Sequence, residues 1–407
     1  MIMKRINIIN AKIAMMKKFL FLLLMLPFAV FGQNQRTIKI THGPYLCDMS
    51  SEGVTIVWTT DVPALSWVEI APHDNEHFYG REREKFFDVA HGKKRADRTL
   101  HRVRVTGLEP GAQYRYRVFS QHVTLMEGNN RTTYGQTAST DVYRRQPLSF
   151  RTFDPDAKEI NFVVVNDIHT RNDLLKELFA DVDVAKLDFV ALNGDMAHWI
   201  EDGEQLFSEF MDTCVDLFAK QTPVVFVRGN HETRGKMSID AIDYFPTSTG
   251  MYYYTFNIGA ACFMVLDCGE DKPDSDLEYG GMAAFDPYRV QQAAWLSAQI
   301  ERPELKNATA KIALLHIPPP VGNNWHGQLH LKETLLPILN RADTDVMLSG
   351  HTHRHSFRQP DDEAQFHLLV NSNEEALHCT LKSGMLTIKA AGAGGKNAKQ
   401  FEIPVKF

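Results

Sequence analysis

The sequence lacks the features that mark nucleic-acid-binding and membrane proteins. Its 44 Lys and Arg residues against 50 Asp and Glu give a net charge of −6, so no basic excess indicates a nucleic-acid partner. Its most apolar run, residues 19–28, is shorter than the roughly 18 residues that span a bilayer. Internal repeats and low-complexity tracts are also missing. We therefore expect a globular protein without a stable membrane anchor, and its oligomeric state stays open.

Cysteine is scarce, and the five residues are an odd number, so in an exported protein they cannot all pair within the chain. Cys262 and Cys268 lie in or beside the apolar segment 260–266. Buried free thiols are therefore the prediction for most of the set, which is Cys47, Cys214, Cys262, Cys268 and Cys379.

The N-terminus has the pattern of a secretory signal peptide. The basic pair Lys17-Lys18 precedes the apolar run, and small residues follow it up to Gln33. We predict that residues 1–32 are removed and that the protein is secreted or periplasmic. No cysteine directly follows the apolar run, which argues against a lipid anchor of the bacterial lipoprotein type. Translation from Met15 or Met16 would place the basic pair directly at the N-terminus.

Short alternating apolar runs between residues 37 and 153 predict an all-β sandwich domain. These runs are residues 54–58, 67–70, 100–105, 114–118 and 148–152. The segments Gly43-Pro44-Tyr45-Leu46, 54–58 and 108–114 resemble a fibronectin type III domain, in which Trp58 would be a core residue. The polar stretch 121–142 is predicted to be a long loop of this domain.

After a boundary near Phe153-Asp154-Pro155, strands alternate with amphipathic segments, which is typical of an α/β domain, here residues 158–407. Helical spacing of apolar residues predicts helices at residues 171–182, 204–220, 290–300 and 331–340. Four β segments close the chain, at residues 366–371, 378–381, 386–390 and 401–405.

Five short clusters of His, Asp and Asn follow β-like runs in this second domain. They are Asp167-Ile168-His169, Gly194-Asp195, Gly229-Asn230-His231-Glu232, His316 and Gly350-His351-Thr352-His353. Loops at the carboxyl ends of strands meet at one edge of an α/β sheet, so we expect one site. Enough metal ligands are present for two ions that share a bridging carboxylate, namely Asp167, His169, Asp195, Asn230, His316, His351 and His353.

The residue types indicate the chemistry of this site. Imidazole and carboxylate ligands suit zinc, manganese and iron, and the absence of cysteine from the clusters argues against a soft-metal or iron–sulfur site. Two neighbouring ions can hold a phosphoryl group, neutralise its charge and lower the pKa of a bound water. Asp195 is the expected bridging ligand, because Gly194 lets the backbone and the ions approach closely, and Gly229 and Gly350 open two other loops in the same way. The seven candidate ligands together predict an enzyme that catalyses hydrolysis at phosphorus.

In type and order the clusters resemble the calcineurin-like metallophosphoesterase superfamily, whose pattern is D-x-H, G-D, G-N-H-[DE], H and G-H-x-H. The resemblance implies a four-layer αββα sandwich. It implies that His231 lies over the phosphate, where it stabilises the transition state or protonates the leaving group. It also implies a first metal held by Asp167, His169, Asp195 and His353 and a second held by Asp195, Asn230, His316 and His351.

A sandwich domain ahead of such a domain resembles the layout of the purple acid phosphatases, with one departure. Three residues after the Gly-Asp aspartate those enzymes have an iron-binding tyrosine, and this chain has His198; where they have glycine, it has His169. The comparison implies a colourless first site in which His169 supplies the ligand that the tyrosine would have given. It implies two divalent or trivalent metal ions, drawn from zinc, manganese, iron and magnesium.

Three further residues each have two possible roles. His326, ten residues after the fourth cluster, matches the offset of a substrate-contacting histidine in purple acid phosphatases, or else it is a solvated loop histidine. His198 either supports a metal ligand or packs beside Trp199. Arg234 either binds a phosphate oxygen or lies exposed on the surface. Residues 277–284 contain two glycines and are predicted to form a pocket-rim insertion that gates access.

These expectations describe a secreted, dinuclear metal-dependent hydrolase of small phosphate esters. As the resemblance implies, a metal-bridging hydroxide attacks phosphorus, Asn230 and His231 stabilise the charge, and His231 or His326 protonates the departing alkoxide. The purple acid phosphatase-like layout favours a phosphomonoesterase. The alternative is a phosphodiesterase acting on nucleotides or glycerophosphodiester-type substrates, which the His169 and His198 pattern favours. A third hypothesis is a non-catalytic surface-binding protein whose sandwich domain binds the partner.

Overall fold

The computed structural model describes residues 37–128, 130–141, 147–319 and 324–405. The predicted signal peptide, residues 1–32, lies outside them. Within the part of the chain that is described, the structure contains no helix that is long and apolar enough to cross a membrane. All five cysteines are buried and unpaired, which confirms the prediction of free thiols.

The N-terminal strands form the predicted β-sandwich. In chain order they are β1 (Ile40–Cys47), β2 (Gly53–Thr60), β3 (Ala64–Pro72), β4 (Lys85–Phe87), β5 (Val89–Ala90), β6 (Lys93–Lys94), β7 (Leu100–Thr106), β8 (Gln113–Glu127), β9 (Arg131–Ser139) and β10 (Leu148–Arg151). One sheet has the order β1-β2-β7, and the other has the order β10-β8-β3-β4 with β9 added to β8. Trp58 on β2 is fully buried and donates a hydrogen bond of 2.9 Å to Ser120 on β8, so it is a core residue, as predicted.

The prediction of a loop at residues 121–142 is wrong, because most of this stretch is a β-hairpin. β8 continues to Glu127, and β9 pairs with it in antiparallel register. Thr, Val and Tyr side chains favour the extended backbone of both strands. Most side chains near the end of the hairpin are exposed. The apolar alternation that marks a half-buried strand is therefore missing from the sequence.

The second domain contains the remaining strands. They are β11 (Glu159–Val165), β12 (Phe189–Asn193), β13 (Val224–Val227), β14 (Tyr254–Ile258), β15 (Ala261–Val265), β16 (Ala310–Leu314), β17 (Val346–Ser349), β18 (Ser356–Arg358), β19 (His367–Val370), β20 (Glu375–Lys382), β21 (Met385–Gly392) and β22 (Lys399–Pro404). One six-stranded sheet has the order β13-β12-β11-β20-β21-β22. The other has the order β14-β15-β16-β17-β19-β18. The predicted C-terminal β segments are thus strands of the two main sheets.

The described α-helices include one at each of the four segments that amphipathic spacing predicted, with two corrections, and one short helix, Pro303–Lys306, that it did not predict. They are α1 (Asn172–Phe179), α2 (residues 203–219, with π-helical turns at Phe207–Met211 and Val215–Ala219), α3 (Phe285–Gln299), α4 (Pro303–Lys306), α5 (His326–Thr334) and α6 (Leu336–Arg341). The helix predicted at residues 290–300 begins earlier, at Phe285. The helix predicted at residues 331–340 is two helices, because Pro337 lacks an N–H group and fits only the first turn of a new helix.

The two six-stranded sheets pack face to face, and helices cover their outer faces. Between the sheets, the rings of Phe162 and Phe189 stack at 4.8 Å, and Phe263 meets both rings edge-on. One helical core contains α1 and α2 against the first sheet, and another contains α3, α5 and α6 against the second. This is the four-layer αββα sandwich that the family resemblance implied.

Parallel pairing of the central strands brings the five clusters to one edge. β11, β12 and β13 run parallel in one sheet, and β15, β16 and β17 run parallel in the other. The clusters follow the ends of β11, β12, β13, β16 and β17. Ligand loops from both sheets therefore meet at one edge of the two packed sheets.

Candidate metal centre

The predicted metal ligands form two groups of ligand atoms, and a third group of three histidines, His169, His198 and His231, shares His169 with the first. Asp167, His169 and His353 form the first group, and Asp195, His316 and His351 form the second; in each group one ligand atom per residue lies within 4.8 Å of the others. Six of the seven predicted ligands thus fall into two separate triads. The seventh, Asn230, lies against the second triad, with its Oδ1 atom 3.1 Å from His351 Nδ1.

The first triad is arranged around one carboxylate oxygen. Asp167 Oδ2 accepts hydrogen bonds from the backbone N–H of His351 at 2.8 Å and from Asn166 Nδ2 at 2.6 Å. Asp167 Oδ1 is buried without a hydrogen bond among the described residues. It lies 3.1 Å from His353 Nε2 and 3.9 Å from His169 Nε2. One oxygen fixes the side chain, and the other is directed at the imidazoles, as a metal ligand requires.

The second triad is arranged around His316, which is fully buried. Its Nδ1 atom lies 2.7 Å from the carbonyl oxygen of Asn193, and donation of a proton there leaves Nε2 as the ligand atom. Nε2 is buried without a hydrogen-bond partner among the described residues and lies 3.1 Å from Asp195 Oδ2. The same Asp195 oxygen lies 4.0 Å from His169 Nε2 of the first triad. Asp195 therefore lies between the triads, where the sequence predicted a bridging ligand.

Strained backbone marks these loops. The described ligands with left-handed φ values are Asp167 at 51°, His169 at 46°, Asp195 at 56°, His351 at 69° and His353 at 59°. Residues with side chains rarely adopt this conformation, and such residues gather at functional sites. Gly350 opens its loop as predicted, because a Cβ atom there would lie 2.6 Å from Asp167 Oδ2.

Burial and mutual charge set the protonation of the ligands. Burial lowers the pKa of His169 and of His351 to about 4 and keeps both imidazoles neutral. Burial opposes the charged form of Asp195, but the neighbouring His316 outweighs it and holds the pKa of Asp195 well below its usual range. At His316, the carboxylates of Asp195 and Asp167 likewise outweigh burial and raise the pKa to about 10. A metal ion at His316 has to displace this proton.

These donors fit two metal ions. Each triad combines a carboxylate with two imidazoles, and at least one buried ligand atom in each triad has no hydrogen bond among the described residues. Nitrogen and oxygen donors of this kind suit zinc, manganese and iron. The chain's own residues therefore agree with a dinuclear site, while the identity of the metals stays a prediction.

Glu232 supports the ligand loops, a role that was not predicted from the sequence. Its buried carboxylate accepts hydrogen bonds from the backbone N–H groups of Gly229 and Asp195 at 2.9 Å, of Met196 at 2.7 Å and of Ala197 at 3.2 Å. Burial raises the pKa of Glu232 to about 7. The glutamate therefore ties two ligand loops together. Its position at the end of the third cluster is the sequence feature that could have indicated this role.

His231 and His198 lie beside the first triad. His231 Nδ1 donates to the carbonyl oxygen of His198 at 3.0 Å, and its Nε2 atom lies 3.8 Å from Asp195 Oδ2. The His198 ring stacks on the His169 ring at 4.9 Å, and the Trp199 ring lies 6.1 Å from His198. Both alternatives for His198 thus hold geometrically, since it contacts a ligand and also Trp199. Its role in catalysis stays a prediction.

Arg234 and His326 have different surroundings. Arg234 is half-buried and pairs with the buried Glu270, and its Nη1 atom lies 3.4 Å from both ring nitrogens of His231. His326 Nε2 instead lies 2.8 Å from Asp286 Oδ2. The neighbouring residue, Trp325, packs edge-on against the His351 ring at 6.5 Å. The structure thus places Arg234 next to the site and pairs His326 with Asp286.

Comparison with known proteins identifies the class that this fold and these ligand groups define. Residues 160–355 match the calcineurin-like phosphoesterase family. The chain therefore contains a calcineurin-like metallophosphoesterase domain, which follows an N-terminal β-sandwich.

Among its relatives are purple acid phosphatases. Purple acid phosphatase 21 of Arabidopsis thaliana is 22% identical over 320 residues, which cover 74% of this chain and 62% of that protein. Serine/threonine-protein phosphatase CPPED1 of Mus musculus is 24% identical over 179 residues, which cover 42% of this chain and 55% of that protein. This chain spans less than two thirds of the length of each curated relative. The structure of purple acid phosphatase PPD1 from yellow lupin (Lupinus luteus) seeds shares the fold, with a TM-score of 0.58 and 14% identity over 89% of this chain and 74% of that chain.

Proposed function

We propose that this protein is a dinuclear metal-dependent phosphoesterase that hydrolyses small phosphate monoesters outside the cytoplasm. The observation that carries the proposal is the pair of ligand triads with Asp195 between them, inside a metallophosphoesterase domain. Relatives that are named phosphatases support monoesters as the substrate class. The signal-peptide pattern of residues 1–32 supports secretion or export to a periplasm.

In this proposal each triad holds one metal ion, Asp195 bridges the ions, and Asn230 completes the second site. Two bound ions would neutralise phosphoryl charge and lower the pKa of a bound water. Asn230 and His231 would bind phosphoryl oxygens. His231 is better placed than His326 to protonate the leaving group, because its Nε2 atom lies 3.8 Å from Asp195 Oδ2, whereas His326 pairs with Asp286. Since His198 stands at the tyrosine position, we expect a colourless protein.

A phosphodiesterase is the second candidate. The stacked pair of His169 and His198 supports it, because purple acid phosphatases have glycine and tyrosine at these positions. A non-catalytic binding protein, with the sandwich domain as its binding surface, is the third. The three candidates differ in what the metal-loaded protein cleaves: a monoester, a diester or neither.

The test compares hydrolysis of p-nitrophenyl phosphate and bis(p-nitrophenyl) phosphate by protein whose metal content has been quantified. Monoester turnover should fall by about a hundredfold or more in Asp195→Asn, because the bridging carboxylate is lost. Asp216→Asn, an exposed position on α2, is the matched control and should keep full turnover. Turnover of the diester alone would favour the second candidate. Two bound metals with neither ester cleaved would favour the third.

A further inference from the structure

Next to the metal centre lies a buried carboxylate that belongs to neither triad. Glu270 is fully buried. Its Oε1 atom accepts hydrogen bonds from Arg234 Nε at 2.6 Å and Thr233 Oγ1 at 3.1 Å. Its Oε2 atom accepts from Arg234 Nη2 at 3.1 Å and from the hydroxyl of Tyr279 at 3.2 Å. One carboxylate thus joins the two residues that directly follow the third cluster to Tyr279.

The contact with Glu270 fixes the direction of the Arg234 guanidinium. The edge formed by Nε and Nη2 faces the carboxylate, and Nη1 lies at the other end, 3.4 Å from both ring nitrogens of His231. A planar guanidinium held by two hydrogen bonds loses little further entropy when it binds an anion. The remaining N–H groups of Arg234 are therefore pre-oriented beside the histidine that is expected to lie over the phosphate.

Tyr279 connects this pair to a rim segment, which we define as residues 271–285. Asp274 accepts hydrogen bonds from the backbone of Phe285 at 2.8 Å and of Asp286 at 3.1 Å, which closes the base of the segment. The Tyr279 hydroxyl also accepts from the backbone N–H of Lys272 at 3.2 Å. The tip is solvated, with Leu277 96% exposed. The segment is therefore closed at its base, where the backbone N–H of Asp271 also donates to Glu270 Oε2 at 3.4 Å, and Tyr279 links the part near the tip to the same carboxylate.

We propose that Glu270 and Tyr279 are positioning residues that orient Arg234 toward a phosphoryl oxygen of the substrate. The rim segment and the phosphate site are then coupled through the chain Tyr279–Glu270–Arg234. This inference rests on the proposed function, and it adds two residues that act through Arg234 and do not contact the phosphate themselves.

The experiment measures the Kd of inorganic phosphate for the metal-loaded protein by calorimetry, together with kcat and KM for p-nitrophenyl phosphate. Arg234→Ala should weaken phosphate binding and raise KM by about tenfold or more, because a charge-assisted hydrogen bond is lost. Arg234→Lys should recover only part of the loss, since lysine lacks the fork that Glu270 holds. Both variants should retain their metals.

Tyr279→Phe should weaken phosphate binding by about threefold, because Glu270 loses the hydrogen bond from the Tyr279 hydroxyl, and Glu270→Gln should weaken it further. In the Arg234→Ala background, Tyr279→Phe should have no further effect, because it acts only through the arginine. Glu363→Gln is the matched control, since Glu363 also pairs with an arginine, Arg358, at 2.8 Å. It should leave the phosphate Kd, kcat and KM unchanged.

An unchanged phosphate Kd in Arg234→Ala, or additive effects of Arg234→Ala and Tyr279→Phe, would overturn the inference. If Glu270→Gln does not fold, Tyr279→Phe in the wild-type and Arg234→Ala backgrounds still tests the coupling. Tyr279 is only half-buried, so its substitution should leave the fold intact. Failure of the proposed function is distinguishable from these outcomes. In that case the wild-type protein would bind two metals and cleave neither ester, while the phosphate Kd values would still test the coupling.

Discussion

At the scale of single residues, two glycines let the ligand loops approach each other. A Cβ atom on Gly194 would lie 2.4 Å from ring atoms of His316, and one on Gly229 would lie 2.2 Å from Asp195 Oδ1. Close-packed interiors leave no room for an atom at such distances. Gly194 also has a φ of 86°, which a residue with a side chain avoids.

Gly194→Ala should therefore remove metal from the second triad and reduce activity at least tenfold, because His316 has to move away from Asp195. Gly92→Ala is the matched control, since Gly92 has a φ of 78° but a Cβ atom there would meet nothing within 4 Å. It should cost only the backbone strain of about 1 kcal/mol and keep both metals. Metal analysis and thermal unfolding measure both effects. Equal metal loss in the two variants would contradict a steric origin.

The ligands themselves could be predicted from the sequence, because their residue types, their order and their positions after strands can be read along the chain. The residues that hold the ligands in place could not be predicted in this way. Glu232 binds backbone N–H groups from two loops. Glu270 accepts hydrogen bonds from residues 36 and 9 positions away in the chain. Such contacts depend on how separate loops meet, and no local pattern encodes that.

At the scale of elements, the strands and helices with one apolar face were predictable, and those without one were not. Trp58 on β2 follows the alternating pattern, whereas the β8–β9 hairpin is exposed and was predicted to be a loop. β7 contains an exception inside a regular pattern, because His101 is a buried polar residue. Its Nε2 atom lies 2.8 Å from the hydroxyl of Thr60 on β2.

Stability should depend on pH through His101. Burial lowers the pKa of this imidazole to about 3, below its ordinary value of 6.5. The unfolded chain therefore binds more protons, and the contribution of the neutral imidazole is complete above pH 6.5 and lost as the pH falls toward 3. Between pH 7 and pH 4 the free energy of unfolding should fall by about 3 kcal/mol through this group alone.

Urea unfolding of His101→Gln at both pH values measures this effect. The variant should lose less stability between pH 7 and pH 4 than the wild-type protein does, because it has no ring to protonate. His73→Gln, at an exposed position, is the control for removing a histidine and should follow the wild-type dependence. A pH dependence that is the same in His101→Gln and in the wild-type protein would contradict the assignment.

At the scale of the whole molecule, the two predicted domains share their interior. A single hydrophobic core includes Trp58 of the sandwich and Phe162 of the second domain. Tyr116 on β8 donates a hydrogen bond of 2.7 Å to the backbone of Lys220, just after α2. The sequence pattern changes between residues 153 and 158. That two separately folding domains meet there remains a prediction. We expect the sandwich domain to stabilise α2 through these contacts.

The proposed metals would join the two main sheets. Asp167, Asp195 and Asn230 follow strands of the first sheet, and His316 and His351 follow strands of the second. Ions held by both sets would favour the folded state by about 4 kcal/mol when free metal exceeds its Kd a thousandfold. A chelator should therefore lower the Tm of the whole molecule in calorimetry. In Asp195→Asn, which lacks the bridging ligand, the same chelator should lower the Tm by much less. A wild-type Tm that a chelator leaves unchanged while it removes both metals would show that the sheets are held together without them.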